Sequence, residues 1–269
     1  MSTQKRTQIL STVLWIIMLV IAWESVASIV QATKRSPENV LPRLHQIADS
    51  VVSDNRVTRD QTALQLVLSN AATTLLRAGL GFVIGAGIGF GLAVLMRRFV
   101  PVEKTVFPYL MLIQMIPILG MAPIVLAITR SIDTSRVVIA AILTFYPVAT
   151  NTLAGLKSVE PAKLDLMQSI SASEAQIYTK LIIPTSVPYL FTGLKIAAPM
   201  AITASILVDT LQGGPGLGTM LSQSLRHAMS IYVFWQIVFF SAAIGMLGYY
   251  GMSLVERLLS PHERVKAPT

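Results

Sequence analysis

The chain has 269 residues, of which 53% are hydrophobic and only 13% are charged, and its mean hydropathy is +0.65. Soluble domains carry about a quarter charged residues, so this composition excludes a disordered chain, a nucleic-acid-binding arm and most soluble folds. The absence of cysteine excludes disulfide scaffolds, thiol catalysis and cysteine-ligated zinc. The net charge of +8 fits a membrane protein whose cytoplasmic loops face anionic lipid.

The first long apolar run follows a basic start at Lys5 and Arg6 and extends from Ile9 to Val30. A signal-peptide core spans about 7–15 residues, which is shorter than this run, although small residues near its end would permit cleavage. We therefore predict that residues 1–30 form a retained first transmembrane helix.

Later apolar stretches are long enough to cross the hydrocarbon core, which takes about 20 helical residues. They cover Asn70–Met96, Phe107–Thr129, Val137–Leu156, Val187–Val208 and Ile231–Val255. The predicted fold class is thus all-α, a polytopic membrane protein with six transmembrane helices. Basic residues are more frequent in the inner segments if both termini are cytoplasmic, which favours an N-in/C-in orientation.

The rest of the chain divides around these spans. Residues 31–69 form an outer loop in which apolar residues recur at helical spacing from Val40 to Val52, so we predict an amphipathic helix at the outer membrane interface. This helix serves packing in one interpretation and partner docking in another. Residues 70–258 form a five-helix core, and residues 259–269 form a cytoplasmic tail.

The second predicted span is rich in glycine. Gly81, Gly85 and Gly89 recur every four residues and so share one helix face, where small residues let two helices approach closely in lipid. A dinucleotide-binding loop is the alternative, but no strand precedes the run and no acidic residue follows at the required distance. The pattern predicts close helix packing.

Chemistry-bearing motifs are scarce. The sequence contains no phosphate-binding P-loop, and His45, His227 and His262 fall in separate segments outside the spans, so neither nucleotide hydrolysis nor a metal site is predicted. Arg77 and Lys195 lie near enough to span ends to extend their charges toward water. The energy for any transport is therefore expected on another subunit.

The segment between the fourth and fifth spans, residues 157–186, has more internal pattern than the other connections. Pro161 can begin a short helix, the run Ser171–Ser173 interrupts it, and Ser173 can cap a second helix that we expect Pro184 to end. Two short helices joined at an angle would make a rigid lever attached to span five. The alternative is an amphipathic helix resting on the membrane surface.

At this point the sequence resembles the membrane-spanning permease subunits of binding-protein-dependent ATP-binding-cassette importers. The resemblance is to the branch for nitrate, taurine and other sulfonates, and vitamin or pyrimidine precursors. It covers residues 40–258 in order and rests on the segments Leu75–Phe82, Asn151–Val159, Leu181–Pro184, Gly193–Ala197 and Gly216–Gly218. Both parts of the family loop motif, E-A-A followed after three residues by G, differ here: Asp165-Leu166-Met167 replace E-A-A, and Ser171 replaces the glycine. A serine at a positive φ costs on the order of 1 kcal/mol.

The resemblance implies a type I importer permease that carries no cofactor itself. Its expected partners are a second permease subunit, identical or different, two ATPase subunits that bind ATP and Mg, an extracytoplasmic solute-binding protein and membrane lipid, but no nucleic acid. The expected ATPase-coupling residues are Asp165, Leu166, Met167, Ile170, Ser171, Ala172, Ser173 and Gln176.

Candidates for the translocation path are polar or adaptable residues at membrane depth, where such residues are costly. They are Gln114, Met115, Tyr146, Asn151, Met200, Thr203, Ser205 and Asp209. Packing or hydrogen bonding between helices is the alternative role for each of them. The expected solute is small and organic, either of sulfonate or nitrate type or an aromatic or heterocyclic precursor. A self-contained secondary carrier or channel is the alternative function.

Overall fold

A computed structural model describes residues 3–34, 40–52, 61–226 and 231–259, and the elements in these ranges are helices. The α-helices, in chain order, are α1 Thr3–Thr33, α2 Leu44–Val52, α3 Ala63–Arg98, α4 Val100–Met115, α5 Ile118–Thr129, α6 Ile132–Lys157, α7 Pro161–Ser169, α8 Glu174–Ile177, α9 Ile183–Gln212, α10 Leu217–Leu225 and α11 Ile231–Leu259. A π-helical turn, Tyr178–Ile182, joins α8 to α9.

The chain forms two compact units: unit 1 combines Met1–Ser69 with Met220–Val238, and unit 2 combines Asn70–Thr219 with Phe239–Thr269. In unit 1, the carboxylate of Glu24 on α1 accepts a hydrogen bond from the Leu44 N–H at the start of α2, at 3.0 Å. Trp23 donates to the Pro42 carbonyl and packs edge-to-face on Trp235. The acidic residue of the first span thus satisfies a free N–H at a helix N-terminus.

Unit 2 is built around α6 and α9, against which α3 and α5 pack. The glycine face of α3 lies on α6: a Cβ added at Gly81 would come within 2.5 Å of the Ala140 Cβ, and one added at Gly89 within 2.7 Å of the Phe145 carbonyl oxygen. Gly85 lies between them against Thr144. Any side chain on this face would push the two helices apart.

The described residues include five helices long and apolar enough to cross a membrane, or six if the bent pair α4 and α5 counts as one span. The sequence predicted a single membrane span over Phe107–Thr129. The structure instead breaks it between Met115 and Ile118, and the two halves meet at 105°. Pro117 causes the break because it cannot donate the helical hydrogen bond and holds an extended ψ of 123°.

The prediction that Pro184 ends the second short helix is wrong. Helical structure continues from Glu174 to Gln212 as one candidate span. The wider π-helical turn explains this continuity: Ile183 N–H bonds to the Tyr178 carbonyl five residues back, so the chain enters α9 with Pro184 in its first turn, where no N–H is required.

Some predictions fall beyond the described ranges. His227, His262 and residues 260–269 of the expected cytoplasmic tail lie outside them. The amphipathic segment of the outer loop is described as α2, with Ile47 as its buried residue.

Candidate functional site

The segment Pro161–Ile177 forms two short helices joined by a tight turn. Ser171 takes a left-handed conformation with φ of 55°. Its N–H bonds to the Gln168 carbonyl, and the Ala172 N–H bonds to the Met167 carbonyl, which together make a Schellman motif. Glycine is favoured at such a position because it has no Cβ, so Ser171 adopts the geometry that a glycine would serve.

The start of α8 is fixed by a capping box. Gln176 N–H donates to the Ser173 hydroxyl oxygen at 3.3 Å, and Ser173 N–H donates to the Gln176 side-chain oxygen at 2.9 Å. These reciprocal bonds satisfy two N–H groups that a helix N-terminus otherwise leaves free. Two of the predicted coupling residues thus hold the shape of the loop.

The surface of this segment carries exposed apolar side chains. Leu166 is 63% exposed and Ile170 is 66% exposed, and Asp165 is exposed beside them. Met167 and Ala172 are partly buried. An exposed leucine and isoleucine one helical turn apart form an apolar patch that a protein partner could cover. We call Leu166 and Ile170 the apolar pair.

The base of the segment is packed against the ends of the spans. A core of buried side chains from α3, α4 and α6 includes Met96, Leu110 and Leu156, and Ile182 of the π-helical turn belongs to it. Ile177 and Leu181 pack against the same core. The segment is therefore anchored by side-chain packing as well as by its chain connection to α9.

The predicted path residues fall into three groups by burial. Gln114, Met115 and Thr203 are exposed. Tyr146, Asn151 and Met200 are partly buried. The side-chain amide of Asn151 donates a hydrogen bond to the Pro147 carbonyl of its own helix. Ser205 and Asp209 are buried, which places them inside unit 2 rather than on a surface.

A buried charged cluster lies at the end of the helices opposite the loop. Asp209 Oδ1 is 2.7 Å from Arg136 Nε, and the Asp209 carboxylate accepts a hydrogen bond from Thr74. Arg77 contacts Asp133 at 2.7 Å and lies 3.8 Å from Asp209. Arg77 is therefore paired within the protein and does not extend to water as the sequence predicted.

The same cluster holds the turn between α9 and α10. Arg136 donates to the Gly213 carbonyl and Arg77 to the Pro215 carbonyl. Leu217 N–H donates to the Thr74 hydroxyl oxygen at 3.0 Å. At Gly216, a Cβ would collide with the Asp209 carboxylate, so only glycine allows this approach.

Sequence reasoning missed Thr74, Asp133 and Arg136 as members of one cluster. Arg136 immediately precedes the predicted fourth span, which began at Val137, yet it lies in the first turns of α6 and is fully buried. Its position five residues after Ser131, which caps α6, could have placed it inside the helix. The Lys195 ammonium likewise pairs with Glu256 of α11, at 2.5 Å.

Solved structures share this fold. The chain resembles a crystal structure of an amino acid ABC transporter, with a TM-score of 0.61 and 22% identity, covering 72% of this chain and 94% of that chain. It also resembles the MetNI methionine ABC transporter in an inward-facing conformation, with a TM-score of 0.65 and 16% identity, over 75% of this chain and 99% of that one.

Relatives by sequence are named transport permeases. The chain is 29% identical over 256 residues to the formylaminopyrimidine transport permease protein ThiX of Halalkalibacterium halodurans, covering 94% of this chain and 96% of the relative. It is 27% identical over 227 residues to the taurine transport system permease protein TauC of Escherichia coli, covering 84% and 78%. The nitrate import permease protein NrtB of Synechocystis is 24% identical, over 93% of this chain and 88% of the relative.

The family model for the binding-protein-dependent transport system inner membrane component matches residues 61–261. This range contains the segment Pro161–Ile177, the buried charged cluster and the helices α3 to α11. This match excludes the alternative function, a self-contained secondary carrier or channel. The chain belongs to this family and is the multi-pass inner-membrane permease subunit of an ATP-binding-cassette importer.

Proposed function

We propose that this permease couples to a separate ATPase through the segment 157–186. The docking surface that we propose on it consists of the side chains of Asp165, Leu166, Met167, Ile170, Ser171, Ala172, Ser173 and Gln176. ATP and Mg bind on that ATPase, and a second permease subunit and an extracytoplasmic binding protein complete the importer. Nucleotide-driven closure of two ATPase subunits would then move the docked segments, and with them the spans.

The observation that carries this proposal is the apolar pair on a segment of fixed shape. Leu166 and Ile170 expose most of their side chains, and the adjoining turn and helix start are held by the Schellman motif and the capping box. Because about two-thirds of each side chain is still exposed, burying both in a partner groove supplies about 1–2 kcal/mol each. A rigid segment loses little conformational entropy on docking.

The solute that we propose is small, either of sulfonate or nitrate type or an aromatic or heterocyclic vitamin or pyrimidine precursor. The relatives named for formylaminopyrimidine, taurine and nitrate support this range. Exposed polar side chains on α4 and α9, Gln114 and Thr203, are the path residues that we propose to contact it.

Copurification tests the docking surface. The tagged chain is coexpressed with its ATPase and extracted in mild detergent, as wild type and as Leu166→Glu with Ile170→Glu. We expect the double variant to lose the ATPase because two buried carboxylates would be unpaired in the groove. Gln168→Glu is the matched control, since it adds a carboxylate on the exposed opposite side of α7.

Retention of the ATPase by the double variant, at the wild-type ratio, would contradict the docking surface. Copurification with the Asp165→Lys, Met167→Glu variant then tests whether the ATPase binds the side of α7 that carries Asp165 and Met167 instead.

Uptake of labelled aminopyrimidine, taurine and nitrate by cells with and without the chain tests the solute range, and uptake of none of them would contradict it.

A further inference from the structure

An ion pair links the coupling segment to the junction of α3 and α4. Arg98 Nη2, in the last residue of α3, lies 2.7 Å from Glu174 Oε2, in the first residue of α8. The two residues are 76 positions apart in sequence. This contact is separate from the covalent path, which runs from α8 through the π-helical turn into α9.

Each partner of the pair is held in place by its own neighbours. Arg98 lies with its guanidinium carbon 5.6 Å from the centre of the Phe99 ring, in the range of a cation–π contact. Glu174 follows the capping box of Ser173 and Gln176, which fixes the direction of the first turn of α8. The Phe99 contact of Arg98 and the fixed start of α8 thus bring the two charged groups within reach of each other.

Stability alone does not account for the pair. The side chains of Arg98 and Glu174 are 50% and 72% exposed, and exposed ion pairs contribute little to folding. The base of the segment is already held by the packing of Ile177 and Leu181 on the buried core. What the pair adds is a direct contact between the start of α8 and the end of α3.

We propose that Arg98 and Glu174 are positioning residues that transmit movement of the docked segment to α4 and the bent span. This inference rests on the proposed docking of residues 165–176. Phe99 directly precedes α4, and α4 meets α5 at the 105° break, so a displacement of Glu174 acts on this span through Arg98. The coupling segment then moves two elements, α9 through the chain and α4 through the ion pair.

Charge reversal tests the pairing in the assembled importer. Arg98→Glu, Glu174→Arg and the double exchange are compared in liposomes by the ATPase rate with and without the binding protein. We expect each single variant to lower the stimulated rate about two- to five-fold, the range set by the free energy of an exposed pair. The double exchange should restore it.

The pair Lys163–Glu160 is a matched control. Its side chains are 57% and 68% exposed and 3.2 Å apart, but both belong to the α7 end of the segment. Exchanging these two charges should leave the stimulated rate unchanged. Copurification of the ATPase with each variant separates a docking defect from a positioning defect.

A distance measurement gives a readout that a structural role would not change. The chain has no cysteine, so Ala175→Cys with Thr105→Cys places one pair of spin labels, on the exposed surfaces of α8 and α4. We expect the distance between these labels to stay constant between nucleotide-free and ATP-bound complexes, and to shift on ATP binding when Arg98→Glu is added.

Three results would overturn the positioning role. Single variants with wild-type stimulation would show that the pair transmits nothing. A double exchange as impaired as the singles would show that the positions, not their pairing, matter. Loss of the ATPase from the Arg98 or Glu174 variants would make the pair part of the docking surface. Failure of the docking proposal is recognised separately, by ATPase retained in the Leu166→Glu, Ile170→Glu variant.

Discussion

Asp209 Oδ1 lies 2.7 Å from Arg136 Nε, and neither side chain is exposed to solvent. The two atoms form an ion pair without hydrogen-bond geometry, while Thr74 supplies a hydrogen bond to the other carboxylate oxygen. Because both charges are buried together, each compensates the other for its lost hydration. The pair joins the end of α9 to the start of α6 and supports the turn that leads into α10.

Removing one charge of this pair should destabilise the permease strongly. Asp209→Asn leaves Arg136 buried without its nearest carboxylate, at an expected cost of about 3–5 kcal/mol. Asp133→Asn should cost about 1 kcal/mol or less, since that side chain is 69% exposed. Thermal unfolding in detergent measures both, and equal losses would contradict the central role of Asp209.

The glycine face of α3 should tolerate no side chain where it meets α6. An alanine Cβ at position 85 would lie 2.7 Å from the Thr144 Cβ, so Gly85→Ala should destabilise by about 1–3 kcal/mol. Gly87 has nothing within 4 Å of an added Cβ, and Gly87→Ala should be neutral or slightly stabilising. The unfolding midpoints of the two variants provide the comparison, and a Gly85→Ala midpoint at or above that of Gly87→Ala would refute close packing.

Replacing Ser171 with glycine should relieve strain in the turn between α7 and α8. At φ of 55° a serine costs about 1 kcal/mol relative to glycine. Ser171→Gly should therefore increase hydrogen-exchange protection in the turn between α7 and α8. Ser169→Gly is the control, because Ser169 is helical and glycine there should reduce protection. Unchanged protection in both would contradict the left-handed turn.

Glu24 should stabilise unit 1 by accepting the N–H of Leu44. Glu24→Ala removes this acceptor and should cost about 1 kcal/mol, whereas Glu24→Gln keeps an acceptor oxygen and should cost less. Tryptophan fluorescence is a suitable readout because Trp23 and Trp235 pack edge-to-face with ring centroids 4.7 Å apart. Ser28→Ala, which removes only a bond within α1, should leave the emission unchanged.

Much of the architecture was predictable from sequence. Apolar runs of about 20 residues specify membrane helices because, inside the bilayer, backbone N–H and C=O groups can hydrogen-bond only to each other. The family model and the solved structures agree with an all-α permease. The cap at Ser173 was also predicted, since a helix N-terminus needs an acceptor within a few residues. Both features depend on local sequence.

Only the tertiary structure decided which charges meet. Arg136 and Asp209 are far apart in sequence, and their pairing depends on how α6 and α9 pack. Arg98 and Glu174 are likewise 76 positions apart, so the local sequence around either residue does not indicate their contact. The π-helical turn that carries α8 into α9 also escaped prediction, because a proline that ends an α-helix can equally begin one. Composition and periodicity determine that helices form and cross the membrane, whereas the partners of polar groups are determined by the packing that brings distant residues together.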